Sequence, residues 1–333
     1  VSRLIGLVFI SASFLIGWLW MDYRDYPDTL LGNASPVVFE VGKGQGYSAV
    51  ADQLAGLGLV RKPRWFRYYL VSSGAAARIK YGEYEVPPAI TVRDLVSMLV
   101  AGKVRQHAVT FVEGWRFRQM RERLQQEPGL EQQLAGKSDA EVMTLLGAPG
   151  QHPEGLFYPD TYFYTKGMSD LAILGRAYRR MQTVLDEEWR GRAEGLPWLT
   201  PYQALIMASI VEKETGRPEE RARIAGVFTR RLAQGMLLQT DPTVIYGMGD
   251  SFMGDIRRAD LVQDTPYNTY VRPGLPPTPI ACPGAQAIHA ALHPEPGDSL
   301  YFVSRGDGTH VFSRSLDEHR HFVEQFQKAR KHE

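Results

Sequence analysis

Residues Leu4 to Met21 form an unbroken stretch without a formal charge. As a helix rising 1.5 Å per residue it would extend roughly 27 Å, close to the hydrocarbon thickness of a bilayer. This predicts a single membrane span, with the rest of the chain on one side of it. Trp18, Trp20, Tyr23 and Tyr26 stand where an interfacial aromatic belt would, and no small-x-small cleavage site follows the run, so an uncleaved anchor over 1–25 is expected rather than a signal peptide. Flanking charge is balanced, with Arg3 and the terminal amine before the run and Arg24 after it. The very short N-terminal flank makes N-in, body-out the expected arrangement.

The remaining residues are enough for roughly two folded domains. Acids and bases nearly cancel, at 37 against 38, so no global basic field exists to hold nucleic acid, and nucleic acid is not expected as a partner. Cys282 is the single cysteine, which excludes an intramolecular disulfide and a cysteine metal cluster. Between Ala281 and Pro283 it reads as a structural cysteine in a loop or strand end.

Tyr26 to Pro36 has the turn-forming composition of a linker, and Val37 to Val41 then alternates like a strand. Helices are predicted over Tyr47 to Gly56, Trp65 to Val71 and Thr91 to Val100, and a strand over Gly82 to Val86, giving a compact α+β subdomain at 37–104. A larger mixed α+β domain is expected from 105 to 333. It opens with a strand, Gln106 to Val112, and a helix, Phe117 to Gln125. Leu130 to Leu146 reads as helical, Glu154 to Tyr162 as an ordered aromatic binding loop, and Ser169 to Glu194 as a long scaffold helix stopped by Gly195.

The chemistry concentrates after residue 200. Thr200, Pro201 and Gln203 form a helix start with a capping box, and Gly216 supplies a stop. Between them Ala204 to Val211 is apolar on every side except at Ser209, and the helix then emerges as Glu212-Lys213-Glu214-Thr215. At 100° per residue Glu212 and Glu214 point roughly 200° apart, so they cannot act as a side-by-side dyad. Glu212, seven residues after Leu205 and four after Ala208, lies on the face of small apolar residues, where desolvation would raise its pKa and let it donate a proton. Ordinary last-turn pairing with Lys213, Arg217 or Arg221 is the alternative for both glutamates.

A helix from Pro218 to Gln234 follows, with Ile224, Val227, Phe228 and Leu232 as its core stripe. Met236 to Gly249 then mixes hydrogen-bonding side chains, a turn at Asp241-Pro242 and an aromatic beside two glycines, a combination that suits sugar binding. Thr265 to Tyr270 and Gly274 to Pro277 have the same character. No cofactor or metal is expected. His289 and His293 are four apart, but no Glu-x-x-His partner fills the space between them. No Gly-x-Ser-x-Gly or Ser-x-x-Lys supports a serine hydrolase.

Ala208-Ser209-Ile210-Val211-Glu212-Lys213-Glu214-Thr215, followed by Leu238 to Gly247 (LQTDPTVIYG), resembles the MltG (YceG-like) endolytic murein transglycosylases. The similarity extends through Glu154-Gly155, Tyr158 to Tyr162, Pro266 to Tyr270, Gly274 to Pro277, and Tyr301 to Val303 before His310 and Phe312, and so covers essentially the whole chain. The resemblance implies a LysM-like subdomain at 37–104 and a catalytic domain after it. It implies cleavage of nascent peptidoglycan glycan strands at the cytoplasmic membrane, on its periplasmic or extracytoplasmic side. Penicillin-binding proteins of the wall-synthesis machinery are then candidate partners.

By the same resemblance Glu212 is the single catalytic acid/base, with Glu214 a lower-ranked candidate. It would protonate the MurNAc–GlcNAc glycosidic oxygen and then deprotonate the MurNAc C6 hydroxyl as that oxygen attacks C1, leaving a 1,6-anhydro-MurNAc end. Gln239, Thr240, Asp241, Thr243, Tyr246, Asn268 and Glu214 are the candidate substrate-binding residues. The alternative is a membrane-tethered, non-catalytic peptidoglycan-binding or scaffold protein.

Overall fold

The structure, a computed structural model, describes residues 2–328; Val1 and the end of the expected 105–333 domain lie outside the described residues, as does the side chain of Arg3. Helix α1 spans Ser2–Arg24 and exposes Leu7, Phe9, Phe14 and Trp18. Among the described residues it is the one helix long and apolar enough to cross a membrane. The expected aromatic belt divides. Trp18 and Trp20 are exposed, Tyr23 packs against Trp65 and Tyr68, and Tyr26 is buried.

Contacts divide the chain into two compact units, Val1–His107 with Phe163–Gly167, and Ala108–Tyr162 with Met168–Glu333. In the first, β1 (Val37–Val41) and β2 (Gly82–Val86) pair antiparallel, Phe39 opposite Tyr84. Alternation puts Phe39, Val41, Tyr84 and Val86 on the buried face. Helices α2 (Tyr47–Gly56) and α3 (Pro63–Ser72) connect the strands and cover that face with Val50, Leu54, Phe66 and Leu70. Helix α4 (Val92–Ala101) starts at a Thr91–Asp94 capping box and ends at Gly102, whose φ of +72° favours glycine. The segment expected as a linker contributes to this core through Tyr26 and Leu31.

The second unit is mostly helical. In chain order it carries β3 (His107–Thr110, beginning one residue before the division), α5 (Phe117–Gln125), α6 (Asp139–Leu145), β4 (Thr161–Tyr164, which crosses the division), α7 (Asp170–Arg190), α8 (Pro201–Glu214), α9 (Pro218–Ala233), α10 (Asp241–Met248), α11 (Arg258–Val262), α12 (Ala285–Leu292), β5 (Tyr301–Ser304), β6 (His310–Ser313) and α13 (Leu316–Val323). Its centre is α8, whose residues Ala204 to Val211 are all buried against α7, α9, α10 and α12. The one polar side chain in that run, Ser209, is satisfied twice, donating to the Ile206 carbonyl at 2.7 Å and accepting from the Ile280 amide at 3.0 Å.

Several expectations are corrected. Only Asp139–Leu145 of the segment 130–146 is helical, because the Asp170 carboxylate accepts the amides of Gln133 and Leu134, Gly136 turns the chain at φ +72°, and Ser138 then caps α6. Helix α7 stops at Gly191 rather than Gly195. Thr200 caps α8, but Gln203 accepts from the Leu199 amide instead of closing a box, and Thr215, not Gly216, ends the helix. Asp241-Pro242 opens α10 rather than forming a turn, since a proline in the first helical turn costs no hydrogen bond. On α9 it is Arg231, not Leu232, that is buried with Ile224, Val227 and Phe228.

Candidate functional site

The last turn of α8 puts its two glutamates into separate environments. Glu212 accepts from the Gly284 amide through Oε2 at 3.0 Å and from Arg221 Nη2 through Oε1 at 3.2 Å. Arg221 is itself buried, donating from Nη1 to Gln286 at 3.1 Å, and its Nη2 lies 3.9 Å from the Glu113 carboxylate. Gly284 precedes α12 and Gln286 lies in its first turn, so α12 supplies one end of this network and α9 the guanidinium. A Cβ on Gly284 would overlap the Glu113 carboxyl, which accounts for glycine there at an unstrained φ of −80°. Gly114 packs alongside at φ +77°, its carbonyl 3.4 Å from Lys213 Nζ.

Burial raises the Glu212 pKa, and the Gly284 amide and Arg221 partly oppose it. Its proton is favoured by desolvation, and the charge left after the proton departs is met by one N–H and one guanidinium.

Glu214 points elsewhere. It accepts from Thr240 Oγ1 at 3.2 Å, and burial, with Asp241 nearby, pushes its pKa up to about 7. With Gln239, Asp241, Arg231, Tyr270, Tyr301, His310 and His319 it lines a cavity of about 490 Å³. Arg231 fixes one wall by donating to the carbonyls of Leu238 and Leu300 at 2.7 and 2.6 Å, and Tyr270 donates to Asp241 at 2.6 Å. Gln239 holds φ +52°, rare for a residue with a side chain, pinned by a bond from its amide to the Thr269 carbonyl.

The expected substrate shell therefore separates by location. Gln239, Asp241 and Glu214 line the cavity. Thr240 and Thr243 are buried and tied to Thr269 at 3.2 and 2.9 Å, which fixes the start of α10. Asn268 is buried with its amide nitrogen against the carbonyls of Asp260, Leu261 and Gln263, where it staples the loop. Tyr246 donates to Glu154 at 3.1 Å, while Arg116 lies 4.9 Å over its ring. Glu154 also accepts the Phe117 amide at 2.9 Å, and burial pushes its pKa up to about 7. The aromatic loop around it is largely core: Leu156, Phe157 and Tyr162 are buried. Cys282 is buried too, its thiol pKa raised by burial, in keeping with a structural role.

Sequence reasoning passed over Glu113, Gln286 and Gly284 as site residues and considered Arg221 only as a surface partner. A glutamate directly before a glycine with positive φ, and a buried arginine nine residues after Glu212, become visible only once α9 and α12 are packed on α8.

The chain matches the YceG-like family over residues 39–325. It is 29% identical over 307 residues to a protein of Bacillus subtilis named endolytic murein transglycosylase, covering 87% of this chain and 84% of the relative. A Streptococcus pneumoniae protein of the same name is 25% identical over 357 residues; 96% of this chain is covered, but only 63% of that longer relative. The crystal structure of a yceG-like protein from Listeria monocytogenes superposes with a TM-score of 0.56 at 29% identity, covering 87% of this chain and all of the other.

Proposed function

The chain belongs to the YceG-like family, and on that premise we propose that it is an endolytic murein transglycosylase, a carbon–oxygen lyase that cuts peptidoglycan glycan strands. The observation that carries this reading is the Glu212 carboxyl, at the emerging end of a buried helix, its pKa raised by desolvation while two donors meet its charge. Protonated, Glu212 gives its proton to the glycosidic oxygen between MurNAc and GlcNAc as the C1–O bond breaks. As carboxylate, stabilised by Arg221 and Gly284, it takes the proton of the MurNAc C6 hydroxyl while that oxygen bonds C1. The proton count closes without water, and the product carries a 1,6-anhydro-MurNAc end.

One observation favours a second assignment within the same activity. Glu214 lines the 490 Å³ cavity with Asp241 and has a pKa near 7, the properties of an acid facing substrate. Digestion of purified peptidoglycan by the wild-type chain and by the Glu212→Gln and Glu214→Gln variants, read by mass spectrometry, separates the two. The variant that loses anhydro-ended products while staying folded identifies the acid. If neither does, the acid lies elsewhere in the chain; if the folded wild-type chain itself yields no such products, the protein is a non-catalytic tethered binder.

The proposal extends to placement. Helix α1 would anchor the chain in the cytoplasmic membrane, with the second unit on the extracytoplasmic side where glycan strands are made. Residues 37–104 would form a LysM-like subdomain, a reading supported by an antiparallel strand pair joined through two helices. Protease protection of the second unit in sealed vesicles tests the orientation, and penicillin-binding proteins remain the partners to test by cross-linking.

A further inference from the structure

We propose that Glu188, His289 and His293 form a site for a divalent transition-metal ion, with Zn²⁺ the species best suited to the donors, tying α7 to α12. His289 lies in the last turn of α12 and His293 is its C-cap, so the two share a face. The third donor, missing between them in the sequence, comes from the last turn of α7. Glu188 Oε2 is 2.9 Å from His289 Nδ1 and 4.0 Å from His293 Nδ1, and one ligand atom from each residue falls within 4.8 Å of the others. Nitrogen and oxygen ligands of tetrahedral zinc stand roughly 3.3 Å apart, a spacing that these two distances bracket. Two imidazoles and a carboxylate are a zinc donor set with one position left for water.

The surroundings favour a cation. His293 Nε2 lies 2.8 Å from the Gly191 carbonyl, and in the tautomer that donates there Nδ1 can accept an ion; Nδ1 also lies 3.2 Å from the His289 carbonyl. Such an outer bond from a ring N–H to a backbone carbonyl orients metal-binding histidines. The C-terminal ends of α7 and α12 meet here, held by the Ala193 amide on the Leu292 carbonyl at 2.9 Å, and both ends carry partial negative charge. The Arg192 guanidinium is engaged by Trp189, 4.1 Å from the ring centroid and 2.9 Å from its carbonyl. The side chains are 29%, 59% and 33% exposed for Glu188, His289 and His293, so an ion can enter from solvent. Because α12 begins directly after Gly284, a bound ion would fix the far end of the helix whose start contacts Glu212.

The test is zinc titration of the tag-free, detergent-solubilised chain by calorimetry and by competition with a chromogenic chelator. One equivalent should bind, at least tenfold more weakly in His289→Ala/His293→Ala and in Glu188→Gln, and unchanged in His321→Ala on α13. Zinc should raise the melting temperature of the wild type but not of the double variant, with circular dichroism confirming that each is folded. No stoichiometric binding by the wild type, or equal binding by the wild type and the folded double variant, would overturn the proposal.

Discussion

The Gly284 amide donates to Glu212 Oε2 at 3.0 Å from the residue that precedes α12, joining the proposed acid to a backbone position where any side chain would collide with Glu113. Gly284→Ala can be accommodated by swinging the 48%-exposed Glu113 side chain outward. Thermal stability should therefore change little, within about 1 kcal/mol. Activity should fall about tenfold or more as the Glu113 and Glu212 carboxyls are re-spaced. Turnover of peptidoglycan beside a melting curve checks both.

Arg221 lowers the Glu212 pKa that burial raises. Removing it in Arg221→Met leaves the Gly284 amide and Lys213 as the lowering influences, so the proton stays on to higher pH. The alkaline limb of the pH–activity profile, where the acid loses its proton, should move upward. An unshifted profile would remove Arg221 from the mechanism.

Glu154 is a buried acid with its pKa near 7, well above its ordinary value of 4.5. Between those values the folded state binds more protons than the unfolded chain, so stability should fall as pH rises from about 4.5 to 7. Glu154→Gln keeps an acceptor for the Phe117 amide and cannot ionise. It should flatten that dependence, leaving the variant on the order of 2 kcal/mol less penalised than the wild type at pH 8 and comparable at pH 5. Denaturant melts at the two pH values are the check.

Asn268 staples the carbonyls of residues 260, 261 and 263 from a buried position. Asn268→Ala should cost roughly 2–4 kcal/mol, and Asn268→Asp more, because a carboxylate has no donor and would face those carbonyls. A sugar-contact role predicts the opposite pattern, an altered KM at unchanged stability.

The sequence made the small unit readable almost element by element, since β1 and β2 alternate, α2 carries Val50 and Leu54 on one face, and α4 has explicit caps at Thr91 and Gly102. The same holds for α8, where Ala204 to Val211, apolar except at Ser209, announce a helix buried all round. What it hid are matters of long-range packing. Asp170 reaches back to hold residues 133 and 134 out of a helix, Pro242 begins a helix where a turn was equally consistent with the letters, and Arg221 is buried by α8 and α12. The candidate site was legible as a region but not as contacts. The motif led to the glutamates and to Gln239 and Asp241, whereas Thr243 and Asn268, polar residues of the same composition, are buried and serve the loop framework.

The central claim rests on one carboxyl. Purified peptidoglycan should be incubated with the detergent-solubilised wild-type chain and with Glu212→Gln, and the products read by mass spectrometry. The account predicts 1,6-anhydro-MurNAc-ended fragments from the wild type and a loss on the order of 10²–10⁴-fold in the folded variant. Reducing-end products, or undiminished anhydro products from Glu212→Gln, would contradict it.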